Sequence, residues 1–143
     1  MAFEGVLTPK TLLASAARTV SGNSGAITFA DARFDDIIFE VDVSAASGTT
    51  PTLDLYIQQT LDGTNYIDVA HFTQITAALT NRARLVVKRG NVTDAIKEGI
   101  GDATATAGAL GLALLTEKGR IKWVVGGTTP SFTFSITSYA DVQ

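Results

Sequence analysis

"IIFEVDVSAASGTTPTLDLYIQQ", residues 37–59, is the stretch on which the fold turns. Its first part alternates. Ile37, Phe39, Val41 and Val43 fall on one face of an extended chain, and Ile38, Glu40 and Asp42 on the other. Its last part alternates again, with Leu53, Leu55 and Ile57 on one face and Asp54, Tyr56 and Gln58 on the other. Successive side chains of a strand point to opposite faces, so a period of two over this length predicts two half-buried β-strands.

Between them stands Gly-Thr-Thr-Pro, 48–51, and the same tetrapeptide recurs at 127–130, between "IKWVV" (121–125) and "SFTFSITSY" (131–139). Aligning the copies puts Leu53, Leu55 and Ile57 on Phe132, Phe134 and Ile136. Gly48 and Gly127 can take a positive φ where a chain reverses. Thr50 and Thr129 precede proline, which favours extended geometry. Pro51 and Pro130 then open strands, where a missing N–H costs least. Both copies therefore read as strand-entry turns. A phosphate-cradling loop needs its glycines to open a helix, usually with a lysine. Here a strand follows each copy, and neither contains lysine.

Working outward, "YIDVAHF" (66–72) and "ARLVVKR" (83–89) add strands, and "TLDGTNY" carries an Asp62-Gly63 turn. "SGNSG" (21–25) reads as a turn before a short strand, "AITFA" (26–30). "TLLASAARTV" (11–20) fits a strand or a helix. Residues 90–118 break the pattern and read as an insertion with some helix, Thr93 capping a short helix, Asp94–Glu98, closed by Gly99. The fold class expected is all-β: an antiparallel β-sandwich, jelly-roll or immunoglobulin-like, of seven or eight strands over residues 21–143. Its core is Phe39, Val41, Leu53, Leu55, Ile57, Trp123, Phe132, Phe134 and Ile136. Residues 1–20 read as an N-terminal arm, with Phe3, Val6, Leu7, Leu12 and Leu13 available to a partner.

The 143 residues suffice for one domain that needs no staples, and the absence of Cys excludes disulfides and thiolate zinc sites. Charged residues are 17%, below the roughly 25% of ordinary soluble domains, and net charge is -3. A sparsely charged surface rich in small residues suits a protein packed against neighbours. No basic patch follows a nucleic-acid backbone. "GALGLALL" (108–115) is far short of a membrane span, and the N-terminus lacks the pattern of a cleaved signal.

Candidate chemistry is thin. His71, the single histidine, must serve any Ser-His-Asp site, and its phase reads as a strand-surface or edge position. Asp31, Asp35 and Asp36 converge on a cation only in a loop, and a solvated turn explains them. Glu40 and Asp42 share a face, which permits paired-carboxylate work, but outward charges on an edge strand explain them without it. Asn91-Val92-Thr93 is a sequon that matters only in a secreted protein. Tyr56, Tyr66 and Tyr139 are the aromatics open to a carbohydrate. No nucleophile–base pair assembles, so no catalytic residue, cofactor or metal is expected.

The strings "ASAARTVSGNSGAI", "VDVSAASGTTPTLD", "DGTNY" leading into "FTQIT", and "KWVVGGTTPSFTFS" resemble small structural proteins of tailed bacteriophages. The resemblance covers roughly residues 11–79 and 119–139. Residues 82–118 depart from the compact pattern, in which the "FTQIT" strand runs sooner into the "KW" strand. It implies a virion component assembled in a bacterial cytoplasm: a capsid decoration (cement) protein on the major capsid protein, or a tail or baseplate piece on tail proteins. It carries over no catalytic residue. Lattice analogy adds a homo-oligomer, a trimer at local threefold positions. A carbohydrate- or receptor-binding module is the rival from another class.

Overall fold

The computed structural model describes residues 7–88 and 118–142. Phe3 and Val6 of the expected arm, and all of the expected insertion before Lys118, lie outside these residues. Every regular element described is a strand: β1 (Thr8–Arg18), β2 (Gly22–Asn23), β3 (Ile27–Thr28), β4 (Phe34–Gln59), β5 (Ile67–His71), β6 (Ala83–Lys88) and β7 (Lys118–Val142). They form one antiparallel seven-stranded sheet. Its main path is β1-β7-β4-β5, with β2 and β3 also on β7 and β6 also on β4.

Two strands dominate, β4 with 26 residues and β7 with 25, and each carries Gly-Thr-Thr-Pro in its interior. This corrects the expectation of strand-entry turns: the chain does not reverse at either copy. The glycines do take positive φ, +110° at Gly48 and +108° at Gly127. Thr50 and Thr129, however, are left-handed at +47° and +46°, not extended. Pro51 and Pro130 sit in mid-ribbon, at bulges, the other place where a strand tolerates a missing N–H.

The register shows how the ladder survives. Ser47 pairs with Ser131, Thr49 with Thr128 and Thr52 with Gly126. The first step carries an extra residue on β7 and the second an extra residue on β4, so the two slips cancel. Pairing then continues in step from Leu53↔Val125 to Gln59↔Gly119. A further bulge at Ser44, between Val43↔Phe134 and Ala45↔Thr133, resets which side chains face inward.

The β4–β7 ribbon is folded back on itself. Trp123 and Phe134 lie on opposite sides of Gly-Thr-Thr-Pro in one strand. A straight strand would separate them by roughly 36 Å. Their ring centroids are 6.0 Å apart. Phe29 likewise meets both arms, edge-on to Phe39 at 5.2 Å and so close to Gly119 that a Cβ there would strike its ring. One hydrophobic cluster draws on both arms of the ribbon. Phe39, Val41, Leu53, Leu55, Ile57, Phe132, Phe134 and Ile136 are all fully buried in it.

Trp123 departs from the expected core set. It is half-buried at the rim, where its indole N–H donates to the Val20 carbonyl at 3.0 Å and the Arg18 guanidinium lies 5.0 Å from its ring. A buried indole needs an acceptor, and this one lies at the surface.

The expected arm is also corrected from Thr8 onward. Residues 8–18 are β1, an edge strand laddered to β7. Leu13 is buried in the core and Leu12 packs partly against it. Locally the segment fits helix or strand equally; the free edge of β7 decides. Two bulges interrupt the pairing, flanking Leu13. The Arg18 guanidinium donates to the Ala14, Ala16 and Phe134 carbonyls there, supplying donors where the ladder slips.

Candidate functional site

The neighbours of the ribbon do not follow it around its bend. On one side β1 ends with Arg18 opposite Phe132, and β2 resumes with Gly22 opposite Trp123. On the other, Ile75 bridges Leu53 and the Leu79 N–H donates to the Val43 carbonyl. Both flanking segments take a shorter route. The ribbon residues 44–52 and 126–131 ladder only with each other and form an apex beyond the flanking strands.

The apex is built by mutual interlock. Thr49 faces Thr128 at its centre, and the two tetrapeptides surround that pair as copies about a local twofold. The environments match closely. A Cβ on Gly48 would lie 2.8 Å from the Thr129 carbonyl oxygen, and one on Gly127 2.7 Å from that of Thr50. Each strained threonine donates its hydroxyl to the preceding carbonyl, Thr50 to Thr49 and Thr129 to Thr128, both at 2.8 Å. A non-glycine residue in a sparsely populated backbone region costs on the order of 1–3 kcal/mol and persists only where surrounding structure dictates it. Here each copy dictates the other. Ser47 to Thr50 and Gly127 to Thr129 are exposed, and no charged residue occurs in either apex segment. Such a surface offers hydroxyls, carbonyls and a fixed shape. It suits docking and holds no proton-transfer group.

A second polar region lies on the arm formed by β4, β5 and β7. His71 is 5% exposed, not a surface histidine as its phase suggests. It pairs with Tyr56, on the face of β4 opposite Leu55 and Ile57, and is covered there all the same. Its Nε2 is 2.9 Å from Asp54 Oδ1, and Tyr56 stacks on its ring at 4.0 Å. The Gln74 side-chain amide donates to the other Asp54 oxygen at 3.0 Å. Burial, and then the charges of Asp54 and Asp68, push the Tyr56 phenol above its usual pKa. One pleat further, Gln58 donates to Asp68 at 2.7 Å and accepts from Arg120 at 2.6 Å. Arg120 also lies over Tyr66, 4.0 Å from the ring centroid. Tyr56 is thus buried, and Tyr66 carries a guanidinium on its face.

The third region is the outer face of the other arm. Glu40 was expected outward on an edge strand, but β4 is interior and Glu40 is 5% exposed. Arg84 Nε donates to one carboxylate oxygen at 2.6 Å and Arg82 Nη1 to the other at 3.0 Å. Burial alone would raise the Glu40 pKa; the hydrogen bonds from Arg84 and Arg82 outweigh it and hold the carboxyl below its ordinary value. Asp42 remains half-exposed, 3.8 Å from Arg82 Nε. This pairing was readable in principle. Glu40 and Asp42 match Arg84 and Arg82 in sign and in spacing.

The aspartates expected in a solvated turn are dispersed. Asp31 pairs with Lys10 at 2.7 Å, while Asp35 and Asp36 belong to β4. Asp36 is buried, and its Oδ2 makes no hydrogen bond to a described residue. Among the described residues, no three His, Cys, Asp or Glu gather to hold a metal, and no helix is long and apolar enough to cross a membrane. No protein-family model and no curated protein matches the chain.

Proposed function

We propose that the protein is a non-enzymatic structural component of a tailed-phage virion. Its role is that of a capsid decoration protein, attached to the major capsid protein at capsomer junctions. The observation that carries this reading is the apex: an uncharged, exposed, doubly bulged corner whose shape is set by two interlocked copies of one tetrapeptide. A rigid projection of small side chains loses little conformational entropy on burial, which favours a shape-matched site. The burial of the single imidazole, out of reach of a bound substrate, supports a non-enzymatic role. In this reading the folded-back sheet is a two-layer β-sandwich, its layers joined through the ribbon's bend. Several copies surround a junction as a homo-oligomer.

The test is co-sedimentation with purified empty shells and, separately, with detached tails. The protein is expected on shells. Thr49→Glu alone, which places one charge at the exposed apex centre, should abolish attachment and leave the thermal midpoint within about 2 °C. Attachment to tails with bare shells would replace the decoration role by a tail or baseplate role. Binding to neither would end the virion reading.

A further inference from the structure

We propose that the exposed edge of β6, with Arg82 and Arg84 beside it, is a docking strand for an extended acidic segment of another protein. Strand β6 pairs with β4 alone among the described strands. An antiparallel strand turns every second pair of backbone N–H and C=O groups away from its partner, so β6 presents along its outer side groups that no described strand pairs. Arg82, Arg84 and Val86 stand exposed at alternate positions along this edge. Ala83, Leu85 and Val87 point the other way, into or against the core.

The arginines are only partly used. Arg82 gives Nη1 to Glu40, and Arg84 gives Nε to the same carboxylate. Arg82 Nη2 and both terminal nitrogens of Arg84 bond no other described residue. The two side chains are 56% and 68% exposed. They line two adjoining hollows. One, of about 250 Å³, has Ile38, Leu7 and Tyr139 in its walls; the other, of about 490 Å³, has Thr80 and Asn81.

The chemistry of the occupant follows from β4, which already solves the same problem on the inner side. There, Glu40 and Asp42, two residues apart, meet Arg84 and Arg82, and Ile38 lies opposite Val86. A strand added to the outer side meets the same three side chains. Running antiparallel to β6, as β4 does, it is matched by an apolar residue followed, two and four positions on, by two carboxylates. Main-chain hydrogen bonds to the edge supply affinity, and guanidinium forks on the carboxylates supply selectivity. This inference does not depend on the virion reading.

The probe is a capped, β-favouring peptide of about eight residues, with two glutamates two apart and a valine two before the first of them. It is titrated into the full-length protein and followed by backbone amide shifts. Shifts centred on Ala83–Val87 are expected, with affinity weakening as salt rises. The same peptide with glutamine for glutamate should bind at least about 10-fold more weakly to the unaltered protein. Arg84→Gln combined with Glu40→Gln, which leaves no buried carboxylate without its cation, should weaken the acidic peptide similarly and leave the glutamine peptide unchanged. Equal affinity for the two peptides, shifts confined to other strands, or no binding would show that the arginines only guard the edge, and would overturn the proposal.

Discussion

Thr50 and Thr129 hold left-handed torsions, +47° and +46°, directly before proline. That conformation is unfavourable for a β-branched residue and again for a residue preceding proline. The companion glycines leave no alternative, because a Cβ on either would lie within 2.9 Å of backbone atoms of the opposite copy. Gly48→Ala and Gly127→Ala should each destabilise by about 2–4 kcal/mol, since backbone rather than a flexible side chain would have to move. The local twofold makes the two losses equal within about 0.5 kcal/mol, as urea midpoints will show. A loss at one glycine only would refute the mutual interlock.

Glu40 is the residue whose protonation most directly tests the packing. Its folded pKa lies below its unfolded value, because the hydrogen bonds from Arg84 and Arg82 exceed the cost of burial. The folded state therefore binds this proton less tightly than the unfolded chain. The stability it contributes is complete above the ordinary glutamate value of about 4.3, and is lost as pH falls through that value and then through the lower folded one. Glu40→Gln should flatten this part of the acid limb. Urea midpoints compared at pH 6 and pH 3 should fall further for the native protein than for the variant. Asp62 is also held low, by the backbone N–H groups of Asn65 and Thr64, but its slope is common to both proteins and cancels.

At the level of elements, β1 shows how far local sequence reaches. "TLLASAARTV" fits a helix or a strand, and nothing within it decides. The exposed flank of β7 decides, taking up Thr8–Arg18 with two bulges and burying Leu13. Removing residues 1–18 should therefore lower the thermal midpoint by more than about 5 °C and promote aggregation by baring the β7 edge, read by calorimetry and size-exclusion chromatography. An unchanged midpoint would show that β1 adds nothing to the fold. The long strands teach the complementary lesson. Alternation located Phe39, Val41, Leu53, Leu55, Ile57, Phe132, Phe134 and Ile136 on single faces, and all are fully buried. Glycine and proline, taken as punctuation, divided two strands into four. Each Gly-Thr-Thr-Pro lies opposite its copy, so one strand's bulge offsets the other's and the ladder continues.

Across the whole molecule, the bend makes the two arms of the ribbon share one core. Trp123, the single tryptophan, sits where they meet, against Phe134. Unfolding followed by its fluorescence and by far-ultraviolet circular dichroism should give coincident transitions. Separate midpoints would mean that the arms unfold independently. Refolding should be slow, in milliseconds to seconds, because the central ladder joins distant residues, Gln59 to Gly119 at the nearest and Phe34 to Val142 at the farthest.

Composition and period-two alternation are properties of neighbouring residues. They determined by themselves that this protein is all-β, and which faces of its long strands are apolar. Position along the chain says nothing about what lies across a strand. The tertiary structure alone decided that Gly48 and Gly127 interlock instead of reversing the chain, that β4 lies inside the sheet so that Glu40 is buried under two arginines, and that His71 meets Asp54. Each depends on a pairing between segments far apart in sequence, where backbone geometry and partner charges override the local preferences of the residues involved.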